Sequence, residues 1–399
     1  MAESHTDRTT VTAPFLQARW AVMLAFLVNG AIFANWAPRI PSIQGSLGID
    51  PALLGLALTG LGIGGLLLTP LAAASIGRFG SRRVLIVSVV ALCGALVLPA
   101  VAPTWWALLA ALILLGGSDA VMDVAMNTQG VLLEKRSQRS LLNGFHAAWS
   151  VGTVVGGLVG TAAASMEIPV TAHFAAVALI LGASAVIASR WFPRPAPGEE
   201  SNQDEQGASS PTRTFAKPSA ALVILGLIVL FAALIEDVPQ SWSAVYMSSE
   251  LDAEPGTAGL AFVAFSSAML LGRLTSDRLV DRWGPVKVLL FGGLLVALAF
   301  SATFVINSPV GAIIAFAVAG LGASPIFPVS FSIAGQLPNV ASGTAIGTIS
   351  MVSRAGFLIA PLAVGATASA FSFGSAFTLI AIAGLAVAVL TVTLRRWLS

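Results

Sequence analysis

Long apolar runs recur along almost the whole chain, and several exceed the roughly 18 residues at which a helix can cross a bilayer. That feature decides the solvent. Inside lipid each backbone N–H and C=O has to be satisfied within its own segment, so such runs are expected as membrane-spanning helices. Composition agrees: 56% of the 399 residues are hydrophobic and only 10% are charged. A soluble domain carries about 25% charged residues, so an ordinary soluble enzyme is excluded. Dividing the chain by twelve leaves about 33 residues per unit, enough for one crossing and a short connection and too few for a large extramembrane domain.

Hydropathy read against charges, Pro and Gly predicts helices near 18–37, 52–74, 84–101, 105–132, 141–164 and 170–191, then near 219–243, 255–274, 286–306, 309–333, 341–369 and 373–394. The lone cysteine, Cys93, lies in an apolar run, so neither an intramolecular disulfide nor a cysteine metal cluster is expected. The opening MAESHTDRTTVTAPFLQ has no basic stretch leading into an apolar one, and the first apolar run is read as a permanent helix.

Basic residues collect on the cytoplasmic side of membrane proteins. With the N-terminus inside, 18 of the 20 Lys and Arg residues fall on that side; Arg39, at the outer end of the first helix, and Arg354, inside the eleventh, are the other two. Both termini are therefore expected in the cytoplasm. The stretch RPAPGEESNQDEQGASSPTRTFAK, Pro-, Ser- and Glu-rich, reads as a linker. The expected organisation is a tail at 1–17, a six-helix half at 18–192, a linker at 193–218, a second half at 219–394 and a tail at 395–399. The halves repeat: IGRFGSRRVL at 76–85 matches VDRWGPVKVL at 280–289, and the same offset of 204 carries Gly116 onto Gly320 and Gly152 onto Gly356.

Two six-helix halves, a central linker and a basic RxG-type turn between the second and third helix of each half resemble the major facilitator superfamily along the whole chain. The family's loop signature is incomplete at RFGSRR, where Gly77 stands in place of the aspartate, and fuller at GRLTSDRLVDRWG, which keeps Asp281. DAVMDVAMNTQG, NGFHAAWSVGTVVGG and IEDVPQSWSAVYM further resemble the MosC-like bacterial branch. The resemblance implies an all-α polytopic membrane protein of 12 transmembrane helices in two pseudo-symmetric halves, placed in the bacterial inner membrane. It also implies that such turns latch the inner gate. The gating-loop candidates are Arg78, Arg82, Arg83, Arg273, Asp277, Asp281 and Arg282, with the family pattern kept at Asp281 and Arg282 and its acid replaced by Gly77 in the first half.

A charge at the bilayer centre costs at least about 2.5–3.5 kcal/mol, so an intramembrane ionisable residue is expected to face protein or a water-filled cavity. Asp119, Asp123 and Asn127, spaced four apart, form one stripe on a helix. His146 is expected at the depth of Asp123. A carboxylate beside a histidine, which ordinarily titrates near neutrality, suits proton coupling, and Asp123 with His146 is the leading pair, with Asp119 beside it. The other reading is a static polar cluster tying two helices together.

Arg354 stays charged and needs an acid. The resemblance implies Asp119 or Asp123 across the interface, either as a switchable bridge or as a constitutive pair. Glu236 and Asp237 precede Pro239, which is expected to kink the seventh helix. With Trp242 and Tyr246 they make a candidate outer gate or substrate wall, or else lie near the headgroups. Asn29 offers a donor and an acceptor at mid-depth to a hydroxylated ligand. GASPIFP, with Pro325 and Pro328, is expected to kink the tenth helix.

No GxxxxGK[ST], HExxH or GxSxG occurs, so ATP hydrolysis and the common hydrolytic chemistries are not indicated. The function expected is secondary active transport by alternating access, proton-coupled, of a small polar organic solute. The MosC resemblance implies a sugar, polyol or amino-cyclitol. The alternatives are a drug or metabolite exporter by proton antiport and a non-cycling transporter-like receptor. No cofactor, metal or nucleic acid is expected; the partners are solute, protons and lipid, and a monomer suffices.

Overall fold

Among the residues that the computed structural model describes, 13–137, 141–194, 219–338, 340 and 342–398, twelve helices are long and apolar enough to cross a membrane, and no strand occurs. They are α1 (Ala13–Leu47), α2 (Pro51–Phe79), α3 (Ser81–Val101), α4 (Trp105–Ser137), α5 (Gly144–Ser165) and α6 (Val170–Trp191). The second series is α7 (Ala220–Ser249), α8 (Pro255–Trp283), α9 (Pro285–Thr303), α10 (Pro309–Gly335), α11 (Thr344–Ala370) and α12 (Phe373–Arg396). The even number of crossings puts both ends of the chain on one face, the terminal side; the opposite face is the far side.

Local chemistry sets several starts. Asp50 accepts a hydrogen bond from the Leu53 amide with Pro51 just inside α2, and Ser308 with Pro309 repeats the device at α10. Ser219 caps α7 through the Leu222 amide. The repeated loops turn on Gly80 and Gly284, both at φ +81°, a left-handed conformation open to glycine at no steric cost.

Several boundaries differ from expectation. The first helix begins at Ala13, five residues early, and breaks at a short 3-10 turn, Ala37–Arg39, before Ile40–Leu47 continues it. The eighth runs on to Trp283, and the last reaches Leu398, into the stretch read as a tail. The tail at 1–12 and most of the linker, 195–218, lie outside the described residues. The tenth helix divides into Pro309–Ala323 and Ile326–Gly335 at Ser324–Pro325, whereas α7 is continuous through Pro239.

α1 packs along α5 and α2 along α4; in the second series α8 packs along α10 and α7 along α11. Glycine permits the approach. A Cβ on Gly116 would strike the Leu61 carbonyl of α2, and one on Gly320 the Phe265 carbonyl of α8. Both residues of the second contact stand 204 positions after those of the first, so the repeat extends to a backbone contact.

The two series meet along two seams, α5 with α8 and α2 with α11. Both are tightest toward the far side. Gly157 lies against Phe262, where a Cβ would be 2.7 Å from the ring, and Gly256 faces the Ser165 side chain at 2.6 Å. On the other seam Gly55 abuts the Pro361 carbonyl, and a Cβ on Gly365 would lie 2.5 Å from the Pro51 carbonyl. Asp123 and Arg354, central on their helices, and His146, in the first turns of α5, are solvent-exposed, which defines a cavity open toward the terminal side.

Candidate functional site

The stripe on α4 lines this cavity. Asn29 of α1 is buried, donates Nδ2 to Asp119 Oδ1 at 2.7 Å and accepts from the Trp149 indole Nε1 at 2.8 Å. One amide thus ties α1, α4 and α5 at mid-depth. Its neighbour Asp123 is held by Asn127, whose Nδ2 reaches Asp123 Oδ1 at 3.0 Å and the Asp123 carbonyl at 2.9 Å.

Arg354 faces this stripe from the other half. It donates to Thr69 Oγ1 of α2 at 3.4 Å and lies within electrostatic reach of Asp123. Among the described residues no ion pair closes between them. Of the two acids expected as its partner, Asp123 is the one within electrostatic reach of Arg354, while Asp119 is bound by Asn29 of its own half.

His146 does not join Asp123: no hydrogen bond links them among the described residues. Its ring stands edge-on to Phe26 at 5.2 Å and within electrostatic reach of Arg273. Asn29 meets Asp119 and Trp149 at one level, and Asp123 and His146 each lie about one helical turn from that level toward the terminal side, so the two stand at similar depth but turn to different partners.

Arg273, expected in a gating loop, sits ten residues inside the end of α8 and pairs with Glu236 Oε1 of α7 at 3.1 Å. The continuous helix through GRLTSDRLVDRW carries it into the membrane. Glu236 is buried accordingly, away from the headgroups, and with Gln240, Trp149, Ser150 and Thr153 borders a void of about 30 Å³. Asp237 keeps one carboxylate oxygen, Oδ2, buried without a partner.

Trp242 and Tyr246, expected as a gate or substrate wall, are buried, Trp242 beside Gly365 at the closed α2–α11 seam. Trp242 is fully buried against Phe373, and Tyr246 packs among Phe316, Phe373 and Phe377, its ring 4.8 Å from that of Phe377.

At the loops, Arg82 donates through Nε and Nη2 to the Ser189 carbonyl at the end of α6, 3.2 and 3.1 Å. Arg78 lies over the Phe79 ring, and Arg83 is exposed. Asp277 and Asp281 line a terminal-side crevice of about 600 Å³ with Pro328 and Gln336; Arg282 is exposed beside it. Three contributors went unread in the sequence. Glu134 caps α5 through the Leu141 and Leu142 amides, Gln129 donates to Ser81 Oγ at 2.6 Å, and Thr69 meets Arg354. The offset of 204 carried a usable signal, since it maps Thr69 onto Arg273 and Ser150 onto Arg354.

Two pseudo-symmetric helical series enclosing a mid-membrane polar cavity closed on one side only are the construction of a secondary transporter. The chain belongs to the major facilitator superfamily, whose family model matches residues 22–239 and 226–397. It is 33% identical to an uncharacterised MFS-type transporter of Yersinia pestis, over 94% of this chain and 95% of that one. It is also 27% identical to the membrane protein MosC of Rhizobium meliloti, over 94% and 90%. Among solved structures, the nucleoside transporter NupG in its D323A form superimposes with a TM-score of 0.79 at 11% identity, covering 94% of this chain and 99% of that one. A D-xylose-proton symporter does so at 0.73 and 14%, covering 96% and 97%. The protein is thus an integral membrane transporter of twelve spans.

Proposed function

We propose that the chain is a proton-coupled secondary transporter of a small polar organic solute of sugar, polyol or amino-cyclitol kind, cycling by alternating access in the bacterial cytoplasmic membrane. Both termini, and so the open side of the cavity, face the cytoplasm, and the terminal-side loops around Arg82 and Asp281 act as its gate. The observation that carries the reading is Asp123 facing Arg354 across the cavity without closing into an ion pair. Arginine keeps its charge throughout a cycle, so proton occupancy of Asp123 decides whether the halves attract. A proton on Asp123 removes the attraction and lets the terminal side open. Its release to the cytoplasm restores the charge and draws α4 and α11 together, closing that side. Asn127, Gln240, Ser150 and Thr153 offer hydrogen-bonding groups to a hydroxylated solute. The sugar-proton and nucleoside transporters of like fold support the solute class by analogy.

The test uses purified protein in liposomes under an imposed proton gradient, with pooled polyols, sugars and amino sugars as solutes. Solute-dependent proton movement is expected, and Asp123→Asn is expected to abolish accumulation while leaving exchange down a solute gradient. Full accumulation by a folded Asp123→Asn protein sinks the proposal.

A further inference from the structure

Arg39 is a cation buried where no acid meets it. It is 3% exposed, its Nη2 donates to the Ile168 carbonyl at 2.6 Å, and its Nε and Nη1 are buried without a partner. Among the described residues no carboxylate forms an ion pair with it, and Glu167, the acid in the adjoining turn, is solvent-exposed. A guanidinium cannot shed its charge to suit such a place, so something else must meet its free N–H groups.

The surroundings specify what. His173, 5% exposed, lies in the first turn of α6 within electrostatic reach of Arg39. Asn35 spends its amide hydrogens on the Ala31 carbonyl, so its Oδ1, 2.9 Å from His173 Nε2, accepts from that nitrogen. The other ring nitrogen, Nδ1, is the acceptor of the neutral ring and is buried without a partner. α6 itself begins at Pro169 with no side-chain cap, leaving the first amides of the helix uncapped at its positive end. Two unpartnered guanidinium nitrogens and an uncapped helix start thus come together in one buried corner. Both are of a kind that receives negative charge.

We infer that this corner binds a small monovalent anion of the chloride class, seated between the free N–H groups of Arg39 and the first turn of α6, which carries His173. The burial of both side chains excludes a lipid headgroup or a larger organic anion. The site is independent of the acids on α4 and of the coupling scheme. Its position gives it a consequence, because the turn Ala37–Arg39 packs against α5 and α7, and Ala34 and Ala37 cluster with Phe262 and Val263 of α8. An anion that fixes the turn stabilises the closed far side.

The experiment is thermal unfolding of the full chain in nanodiscs, followed by tryptophan fluorescence, with chloride replaced by gluconate at constant ionic strength. The expected result is a Tm that climbs by roughly 2–4 °C for each tenfold of chloride above the dissociation constant, with bromide equivalent and gluconate inert. Arg39→Gln is expected to remove the dependence. Should that variant fail to fold, crystals of the unaltered protein grown in bromide decide: an anomalous peak within hydrogen-bonding distance of Arg39 Nε or Nη1 supports the site, and its absence overturns it. Equal Tm in chloride and gluconate, or chloride dependence retained in a folded Arg39→Gln protein, also overturns it. The helix ends and a trapped water then carry the charge alone.

Discussion

Asn29 shows how much one uncharged side chain can organise. Its two amide atoms satisfy a carboxylate and an indole from two other helices, so Asn29→Ala leaves Asp119 and Trp149 without those partners. Each orphaned buried group costs about 1–3 kcal/mol. A lower Tm in detergent and reduced uptake are expected for Asn29→Ala; a Tm and uptake matching the unaltered protein would show that the bridge bears neither stability nor function. The acids themselves were legible in the sequence, because a carboxylate in a 20-residue apolar run stands out against its cost. Their partners were not. Trp149, Thr69 and Gln240 are ordinary residues for a membrane helix, and only the folded arrangement turns them toward Asn29, Arg354 and the Glu236 turn.

Among elements, the repeat was the most legible feature and continues into the structure. Gly116 on α4 and Gly320 on α10 press against carbonyls of α2 and α8 at matched positions, so side chains there should be refused equally. Gly116→Val and Gly320→Val are each expected to lower stability by about 1–3 kcal/mol, through helix pairs that cannot approach. Tm and the yield of monodisperse protein measure this, and a loss in one variant alone would break the equivalence. Arg273 marks where reading by element went astray. Hydropathy stops at the first charge, which places the end of α8 near residue 274, while the backbone continues to the glycine-marked turn at Gly284. Pro239 misled in the opposite direction. A proline removes one amide donor, but packing on both sides of α7 keeps the helix continuous around it.

For the whole molecule, the informative fact is that the two seams close at one end. Ser165 and Gly256 touch across the α5–α8 seam on the far side, so a cysteine pair at these positions is expected to crosslink readily. The crosslinked Ser165→Cys/Gly256→Cys protein should lose transport and regain it on reduction, because the far side must part once per cycle; uptake before and after reductant reads this. Undiminished transport by fully crosslinked protein would mean that the far side does not open there. Buried Cys93 is remote from this seam and does not compete.

The one-sided cavity also has an electrical meaning. Water filling it from the terminal side carries that side's potential inward to Asp123, so most of the transmembrane voltage falls across the thin, glycine-packed far side. A charge travelling from the far side to Asp123 therefore crosses nearly the whole field, worth about 2.3 kcal/mol per 100 mV, although it moves through only part of the bilayer's thickness.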